Sequence, residues 1–365
     1  MALKDTAPPV GLPPDYATAR RAFLDACAAA GARVRSVVHP LAGPDGEIAM
    51  DVASLGPADA RRAVFVVSGT HGVEGYAGSP LQTHWLAHHA ATQPPDVRSV
   101  WLHAHNPYGF AWTRRVNEDN VDLNRNYVDW PAEPVHNPGY DALAPMIVPE
   151  DWSEEGQRVS TEALLAHAAE HGMDRLQADV SQGQYRHPKG LFYGGTGPTW
   201  SFERMKEVTE RELAGLDRVA VIDLHTGLGE WGHGELIVHQ ATDTDAYRRA
   251  EQWWTGVRSM VDGDSVSAHV RGDWLDRFDH WMEGVEVTSG ALEYGTVDVI
   301  SVLQSLRADA WLHGYGDPLG EAGETVRRQV RAAFADDDPA WIARLWPRFA
   351  EIVEASYAQL AGGGA

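Results

Sequence analysis

Cysteine is almost absent from this chain of 365 residues, which contains only Cys27. A single cysteine excludes an intramolecular disulfide and any zinc module built from several cysteines. Cys27 lies in "ARRAFLDACAAAGA", an alanine-rich stretch that predicts a helix. We therefore interpret it as a packed core residue and not as a nucleophile.

Basic residues and long apolar runs are also scarce. The chain has 30 lysines and arginines against 52 acidic residues, a net charge of −22, which argues against binding to nucleic acid because phosphates are repelled. No window approaches the roughly 18 uncharged apolar residues of a membrane span, so we expect no membrane association. The opening "MALKDTAPPVGLPPDY" lacks the basic-then-apolar pattern of a signal peptide, and we expect a cytoplasmic location.

Apolar runs and helical patterns alternate along the chain. The runs "AVFVVSG", "VRSVWLHAHN", "RVAVIDLHTG", "GELIVHQ" and "GALEYGT" predict strands. Helices are predicted over 15–32, over 79–91 with Ser79 as N-cap, over 245–261 and twice near the end. This order predicts an α/β fold with a mixed, largely parallel twisted sheet flanked by helices. We expect a single domain over 1–365, with an insertion at about 127–201 that is rich in Pro, Gly, His and Trp and has one helical pattern.

Two predicted strands end in residues that can bind a metal. "VVSGTHGVE" supplies His71 and Glu74, and "VIDLHTG" supplies His225. Ligands of α/β sheets gather beyond the carboxyl ends of the strands, and two imidazoles with one carboxylate are the protein ligands of an open catalytic zinc site. By itself, a His-x-x-Glu turn is a weak signal that occurs in many proteins.

The segment "HNPYGFAWTRRVNEDNVDLNRNY", residues 105–127, makes the signal specific. Its Asp-Leu-Asn-Arg-Asn resembles the signature of the zinc carboxypeptidase superfamily, and "DLHTG" and "ALEYGT" also fit the family pattern. Four motifs follow the family order across residues 64–296. The chain looks most similar to bacterial members known only as domains of unknown function, with the succinylglutamate desuccinylase and aspartoacylase branch a close second.

The resemblance implies a role for each matching residue. It implies one zinc ion per chain, bound by His71, Glu74 and His225, and Glu293 as the general base that moves a proton from water to the leaving nitrogen. It also implies two residues that orient the zinc-binding histidines, Asp122 for His71 and, on weaker grounds, Asp223 for His225.

The basic residues of this segment are expected to contact the substrate. Arg115 has the spacing of the family arginine that stabilises the oxyanion, and its neighbour Arg114 is the alternative. Asn124 and Arg125 match the pair that holds a substrate carboxylate, a task suited to a planar guanidinium.

One departure from the family bears on the substrate. The larger carboxypeptidases have a tyrosine on a mobile loop before the catalytic glutamate, where this chain reads "SAHVRGDWLDRF". Tyr294 is expected to face away from the site, which leaves the position vacant or filled by His269 or Arg271. Ordinary protein carboxypeptidase activity is therefore in doubt.

The sequence predicts a zinc-dependent hydrolase acting on an amide bond of a small molecule or short peptide that bears a carboxylate. The alternative is a non-catalytic member of the fold that binds a metal or a peptide. For the insertion we weigh a surface elaboration that adds stability against a roof over the cleft that admits only small substrates, and we favour the roof.

Overall fold

The computed structural model describes residues 7–130, 136–267 and 270–362. Its strands are β1 (Arg33–Gly43), β2 (Gly46–Leu55), β3 (Arg62–Ser68), β4 (Arg98–His103), β5 (Arg218–Trp231), β6 (Gly234–Val238), β7 (Val257–Ser259) and β8 (Glu286–Gly295). They form a mixed sheet in the order β1-β2-β4-β3-β5-β8-β6-β7. The central strands β4, β3, β5 and β8 run parallel, whereas the pairings β1–β2, β2–β4 and β6–β8 are antiparallel. The predicted α/β class and largely parallel sheet are confirmed.

The helices, in chain order, are α1 (Tyr16–Ala30), α2 (Gly75–His88), α3 (Pro107–Ala111), α4 (Leu123–Asn126), α5 (Pro138–Ile147), α6 (Glu154–His171), α7 (Met173–Ser181), α8 (Trp200–Glu212), α9 (Asp245–Trp253), α10 (Trp274–Trp281), α11 (Val299–Tyr315), α12 (Glu321–Phe334) and α13 (Pro339–Ala361). Within the described ranges, none of them combines the length and apolar character that crossing a bilayer requires.

The sheet is buried on both faces. Val64 and Val66 of β3 pack with α1, α2, α9 and α13 on one face, whereas Phe65 and Val67 pack with α8 and α10 on the other. Successive side chains of a strand point to opposite faces, so a strand covered on both sides needs an unbroken apolar run. This is why "AVFVV" shows no alternation.

The carboxyl ends of β3, β5 and β8 position the candidate site. The chain leaves β3 at Ser68 and turns sharply through Gly69, which has a φ of +68° that favours glycine. At Gly72 a Cβ would lie 2.1 Å from the backbone of Gly109, so only glycine allows this close approach. On the neighbouring strands, His225 of β5 and Glu293 of β8 are partners in the parallel register.

The segment from 127 to 201 contains more helix than the sequence predicted. Where one helix was predicted, the structure has α5, α6 and α7, which pack against α11 and α12 in a third apolar cluster.

Two local predictions were wrong, and one element was missed. Helix α2 begins at Gly75 and not after Ser79, whose hydroxyl lies inside the helix and 2.9 Å from Nε2 of His103. Helix α9 ends at Trp253, and the short strand β7 follows where helix was expected. The hairpin of β1 and β2 was not predicted at all.

Candidate active site

Three side chains converge at the carboxyl end of β3, beside the middle of β5. His71 lies just beyond β3, Glu74 ends the 3-10 turn Gly72–Glu74, and His225 is on β5. Glu74 Oε1 is 2.8 Å from Nδ1 of His71, Glu74 Oε2 is 2.8 Å from Nδ1 of His225, and the two Nδ1 atoms are 3.2 Å apart. All three residues are buried.

This donor set fits a zinc ion. Each residue offers one ligand atom, and these atoms all lie within 4.8 Å of one another. Ligand bonds of about 2.1 Å at a tetrahedral angle place two donor atoms about 3.4 Å apart, close to the spacings observed here. Two imidazoles and one carboxylate are also the protein ligands of open catalytic zinc sites, which leave a coordination position free.

The electrostatics of the donor set favour a cation. Burial alone would raise the pKa of Glu74, but the imidazoles of His71 and His225 lower it to about 2. Burial alone would lower the pKa of His225, but the carboxylates of Asp223 and Glu74 raise it well above its usual range. These opposite charges stabilise one another in the metal-free protein, and a bound metal ion would take the place of the proton on Nδ1 of His225.

Asp223 is hydrogen-bonded to the ring nitrogen of His225 that does not face Glu74. Its Oδ2 accepts hydrogen bonds from His225 Nε2 at 2.6 Å and from Trp274 Nε1 at 2.6 Å, and its Oδ1 accepts one from the Thr70 hydroxyl at 2.8 Å. A carboxylate can only accept, so Nε2 of His225 carries a proton, and Nδ1, which faces Glu74, is the nitrogen that can bind a metal ion once it is deprotonated.

Asp122 lies near the ring nitrogen of His71 that does not face Glu74. Its Oδ1 is 3.4 Å from Nε2 of His71 and accepts a hydrogen bond from the backbone of Asn124, while its Oδ2 accepts one from Nε of Arg115 at 3.0 Å. Nε2 of His71 is buried and makes no closer hydrogen bond among the described residues. Burial would raise the pKa of Asp122, but the charges of Arg115 and Arg125 hold it well below its usual range.

Sequence reasoning missed the residues that hold Asp223 in place. Thr70 and Trp274 both bond to it, and His105 bonds in turn to Thr70 at 3.1 Å and to the hydroxyl of Tyr127 at 2.7 Å. Thr70 is in the same "SGTHG" turn as His71, which is a usable signal. Nothing in the sequence connects Trp274 with a residue 51 positions away.

Glu293 is a buried carboxylate next to the donor set of His71, Glu74 and His225. Its Oε1 accepts a hydrogen bond from the backbone N–H of Leu228 at 3.0 Å. Burial and the nearby charge of Glu74 raise the pKa of Glu293 to about 7, so this group can both accept and release a proton near neutral pH.

The structure separates the two neighbouring arginines. Arg115 lines the cavity described below and bonds to Asp122 and, at 3.4 Å, to Glu74. Arg114 points away from this cavity into the protein, where it forms a buried ion pair with Asp309 at 2.9 Å and bonds to Asn120. The structure therefore brings Arg115 to the site and does not bring Arg114 there.

Arg125 and Asn124 also line the cavity. Arg125 donates to the backbone oxygens of Ser181 and Asn124 and, among the described residues, forms no ion pair with a carboxylate. Burial lowers its pKa. The Oδ1 atom of Asn124 is buried without a hydrogen bond in the described structure. A buried guanidinium that forms no ion pair with a carboxylate in the described structure is a suitable place for an anionic group of a ligand.

A cavity of about 360 Å³ connects these side chains with the segment from 127 to 201. Its polar end is lined by His71, Arg115, Asn124, Arg125, His225 and Glu293. The ring of Phe192, from the segment, lies 5.7 Å from the Arg115 guanidinium and 5.1 Å from that of Arg125.

Neither Tyr294 nor Arg271 takes the place of the family tyrosine in the described structure. Tyr294 points to the opposite face, as predicted, and donates to the backbone oxygen of Leu345. Arg271 is exposed and does not line the cavity, and His269 is outside the described residues.

Several solved structures resemble this one. They include an aspartoacylase family protein from Mesorhizobium loti (15% identity, 80% of this chain, 68% of that chain, TM-score 0.39). Carboxypeptidase A from Helicoverpa armigera (12%, 88% and 74%, TM-score 0.45) and a succinylglutamate desuccinylase from Silicibacter sp. TM1040 (13%, 78% and 67%, TM-score 0.39) are also similar. These are the groups that the sequence motifs resemble. Similarity at this level says nothing about the reaction of this chain.

No curated protein is detectably similar to the chain in sequence. One family model matches residues 14–348, which is most of the chain. The chain belongs to that family, which is described as a protein of unknown function (DUF2817).

Proposed function

We propose that this protein is a zinc-dependent hydrolase that cleaves an amide bond of a small substrate bearing a carboxylate. One observation carries the proposal. His71 and His225 of the donor set line the same cavity as Glu293, a carboxylate with a raised pKa, and Arg125, a buried arginine that forms no ion pair with a carboxylate in the described structure.

A bound zinc ion would lower the pKa of a water molecule and polarise the substrate carbonyl. Glu293 accepts a proton from the attacking water while the water oxygen bonds to the carbonyl carbon. The Arg115 guanidinium stabilises the negative charge that develops on the carbonyl oxygen. Glu293 then returns the proton to the nitrogen as the C–N bond breaks, which leaves a carboxylate and an amine.

Asn124 and Arg125 hold the substrate carboxylate in this proposal. The planar guanidinium of Arg125 can bind both oxygens, and its position on α4, three residues after Asp122, ties the carboxylate site to the site of bond cleavage. Without such an anchor the substrate would not keep its amide aligned with Glu293.

The segment from 127 to 201 restricts which substrates reach the site. Residues of α5, α6 and α7 and the loop residue Phe192 line the cavity together with the metal ligands. We expect N-acyl amino acids or small peptides to be cleaved, whereas folded proteins should keep their C-terminal residues. Steady release of C-terminal residues from a folded protein would contradict this role.

The test combines zinc content with turnover. Wild type and Glu293→Gln are loaded with zinc and assayed on a panel of N-acyl amino acids and dipeptides. Glu293→Gln should keep one zinc ion per chain and lose turnover by several orders of magnitude, because it removes the base and leaves the ligands in place. His71→Ala, Glu74→Ala or His225→Ala should each lose the zinc.

Two outcomes would overturn the proposal. Stoichiometric zinc without Glu293-dependent turnover on any member of the panel would identify a non-catalytic binding protein. Full retention of zinc by the His225→Ala variant would place the metal at another site.

A further inference from the structure

Away from the metal ligands, the cavity becomes apolar. We call this part the apolar compartment and define it by Ile147, Leu164, Val180, Val302, Leu303 and Leu306. They come from α5, α6 and α7 on one side and from α11 on the other. The whole cavity, at about 360 Å³, falls within the range of roughly 300 to 1,000 Å³ that small-molecule sites occupy.

The charged side chain in the α11 wall does not offer a site for a polar ligand. Arg307 donates from Nε to the backbone oxygen of Ile147 at 2.8 Å and from Nη1 to Gln304 at 2.9 Å. Its Nη2 donates to the backbone oxygen of Met146 and to the hydroxyl of Ser160. These bonds saturate the guanidinium and fix α11 to the segment, so the compartment selects for apolar groups.

The compartment opens to solvent through four apolar side chains, which we call the apolar rim: Leu165, Met173, Val299 and Ile300. Between 57% and 65% of each is exposed, and all four line the cavity. Large apolar side chains clustered around an opening are costly in water and mark a place where an apolar ligand binds. Because the protein has a net charge of −22, this apolar opening differs in character from its acidic surface.

The residues at the polar end of the cavity are suited to the carboxylate and the amide of a substrate. Arg125 and Asn124 are suited to its carboxylate, and the amide must lie near Glu293 and Arg115 for cleavage. Phe192, which packs on both guanidiniums, has a φ of +53° that is strained for a residue with a Cβ. Its ring covers the charged groups with an apolar surface.

We propose that the apolar compartment receives an aliphatic acyl chain of the substrate, so that the preferred substrates are amino acids N-acylated with a medium or long hydrocarbon chain. This inference rests on the proposed amide hydrolysis and names its substrate class. The chain lies between α6, α7 and α11 and leaves the carboxylate of the amino acid at Arg125.

Acyl length should therefore control the specificity constant. Zinc-loaded wild type is assayed on N-acetyl, N-hexanoyl and N-decanoyl forms of each of several amino acids. Each buried methylene should raise kcat/KM by up to about fourfold, equivalent to about 0.8 kcal/mol, until the compartment is full. At fixed acyl length, changing the amino-acid side chain shows whether the side chain fills the compartment instead.

Rim variants test whether the compartment causes this dependence. In the double variant Leu165→Gln with Ile300→Gln, the ratio of kcat/KM for decanoyl to acetyl substrates should fall at least tenfold. The matched control is Val159→Gln, because Val159 is on the same helix as Leu165, is 52% exposed and does not line the cavity. The control should keep the wild-type ratio. All three residues are exposed, so folding should be retained.

A binding measurement gives a readout that is independent of turnover. In calorimetric titrations of the metal-free protein, decanoate should bind with a negative heat-capacity change and acetate should not bind detectably. The double rim variant should bind decanoate at least tenfold more weakly than the Val159→Gln control.

The failures of the two proposals are distinguishable. Glu293-dependent turnover with no dependence on acyl length would overturn the acyl-chain inference and leave the hydrolase proposal standing. So would a rim variant whose length profile matches the control, or a preference that follows the amino-acid side chain. If no N-acyl substrate of any length is cleaved, the hydrolase proposal fails, and with it the acyl-chain inference as a statement about substrates.

Discussion

Replacing Asp223 by asparagine should weaken zinc binding and destabilise the fold by separate, measurable amounts. The carboxylate accepts from three donors, on His225, Trp274 and Thr70, at 2.6 to 2.8 Å in the absence of solvent. An asparagine keeps the shape but replaces one acceptor oxygen with a donor. The new amide group can face the Thr70 hydroxyl, which can accept instead of donating, but the bonds from His225 and Trp274 lose their charged acceptor, which costs about 1–3 kcal/mol of unfolding free energy in the metal-free protein.

The effect on zinc comes on top of this cost. Removing a carboxylate that orients a metal-binding histidine weakens metal affinity by about 10- to 100-fold. At the same saturating zinc concentration, this weaker affinity reduces the free energy with which zinc stabilises the folded state by about 1.4–2.7 kcal/mol. Urea denaturation with and without zinc measures both parts, and competition with a chelator measures the affinity directly.

Asp51 provides the matched control. It is equally buried and accepts from Nε of Arg20 at 2.8 Å and from Ser36, but it lies on β2 and does not line the cavity. Asp51→Asn should lower the unfolding free energy and leave zinc affinity unchanged. If Asp223→Asn bound zinc as tightly as wild type, or if Asp51→Asn weakened zinc equally, the assigned role of Asp223 would be refuted.

Three further predictions concern the arginines and Glu293. Arg115→Ala should lower kcat with little effect on KM, whereas Arg125→Ala should chiefly raise KM, and steady-state kinetics with the reverse pattern would exchange their assigned roles. Arg114→Ala leaves the buried Asp309 without its partner, so denaturation should show a loss of about 3–5 kcal/mol while the surviving folded protein keeps its KM; a selective rise in KM would contradict this. In the metal-free protein, the raised pKa of Glu293 means that the folded state holds the proton more tightly, so the unfolding free energy should fall by up to about 3 kcal/mol as pH rises from about 4.5 to 7. Glu293→Gln should remove that part of the decline, and parallel stability–pH curves for the two proteins would show that Glu293 is not perturbed.

Local sequence determines the elements that build the floor of the site. The strand ending at Ser68 is a continuous apolar run, and its glycine-flanked turn holds His71 and Glu74 three residues apart. Both signals act over a few residues, through burial on two faces and through backbone geometry. The strands "VIDLHTG" and "GALEYGT" are predicted in the same way, but their parallel pairing joins distant parts of the chain and is decided by the tertiary structure.

Other parts of the fold have no local signal. Strand β1 is an edge strand with mostly exposed residues, so its sequence has no apolar run to reveal it. Strand β2 has the buried residue Asp51 in its middle, and an aspartate there argues against a strand when only the sequence is known. In the folded protein Arg20 and Ser36 donate hydrogen bonds to it.

The same limit applies to the cavity and to the choice between the arginines. Sequence spacing could only rank Arg114 and Arg115, because the partner that draws Arg114 away, Asp309, is 195 residues further along the chain. The apolar compartment likewise exists only where α6 and α7 meet α11. A charge pair or a cavity wall formed by distant segments depends on how helices pack on the sheet, and that packing is decided by the sum of many weak apolar contacts and not by any local pattern.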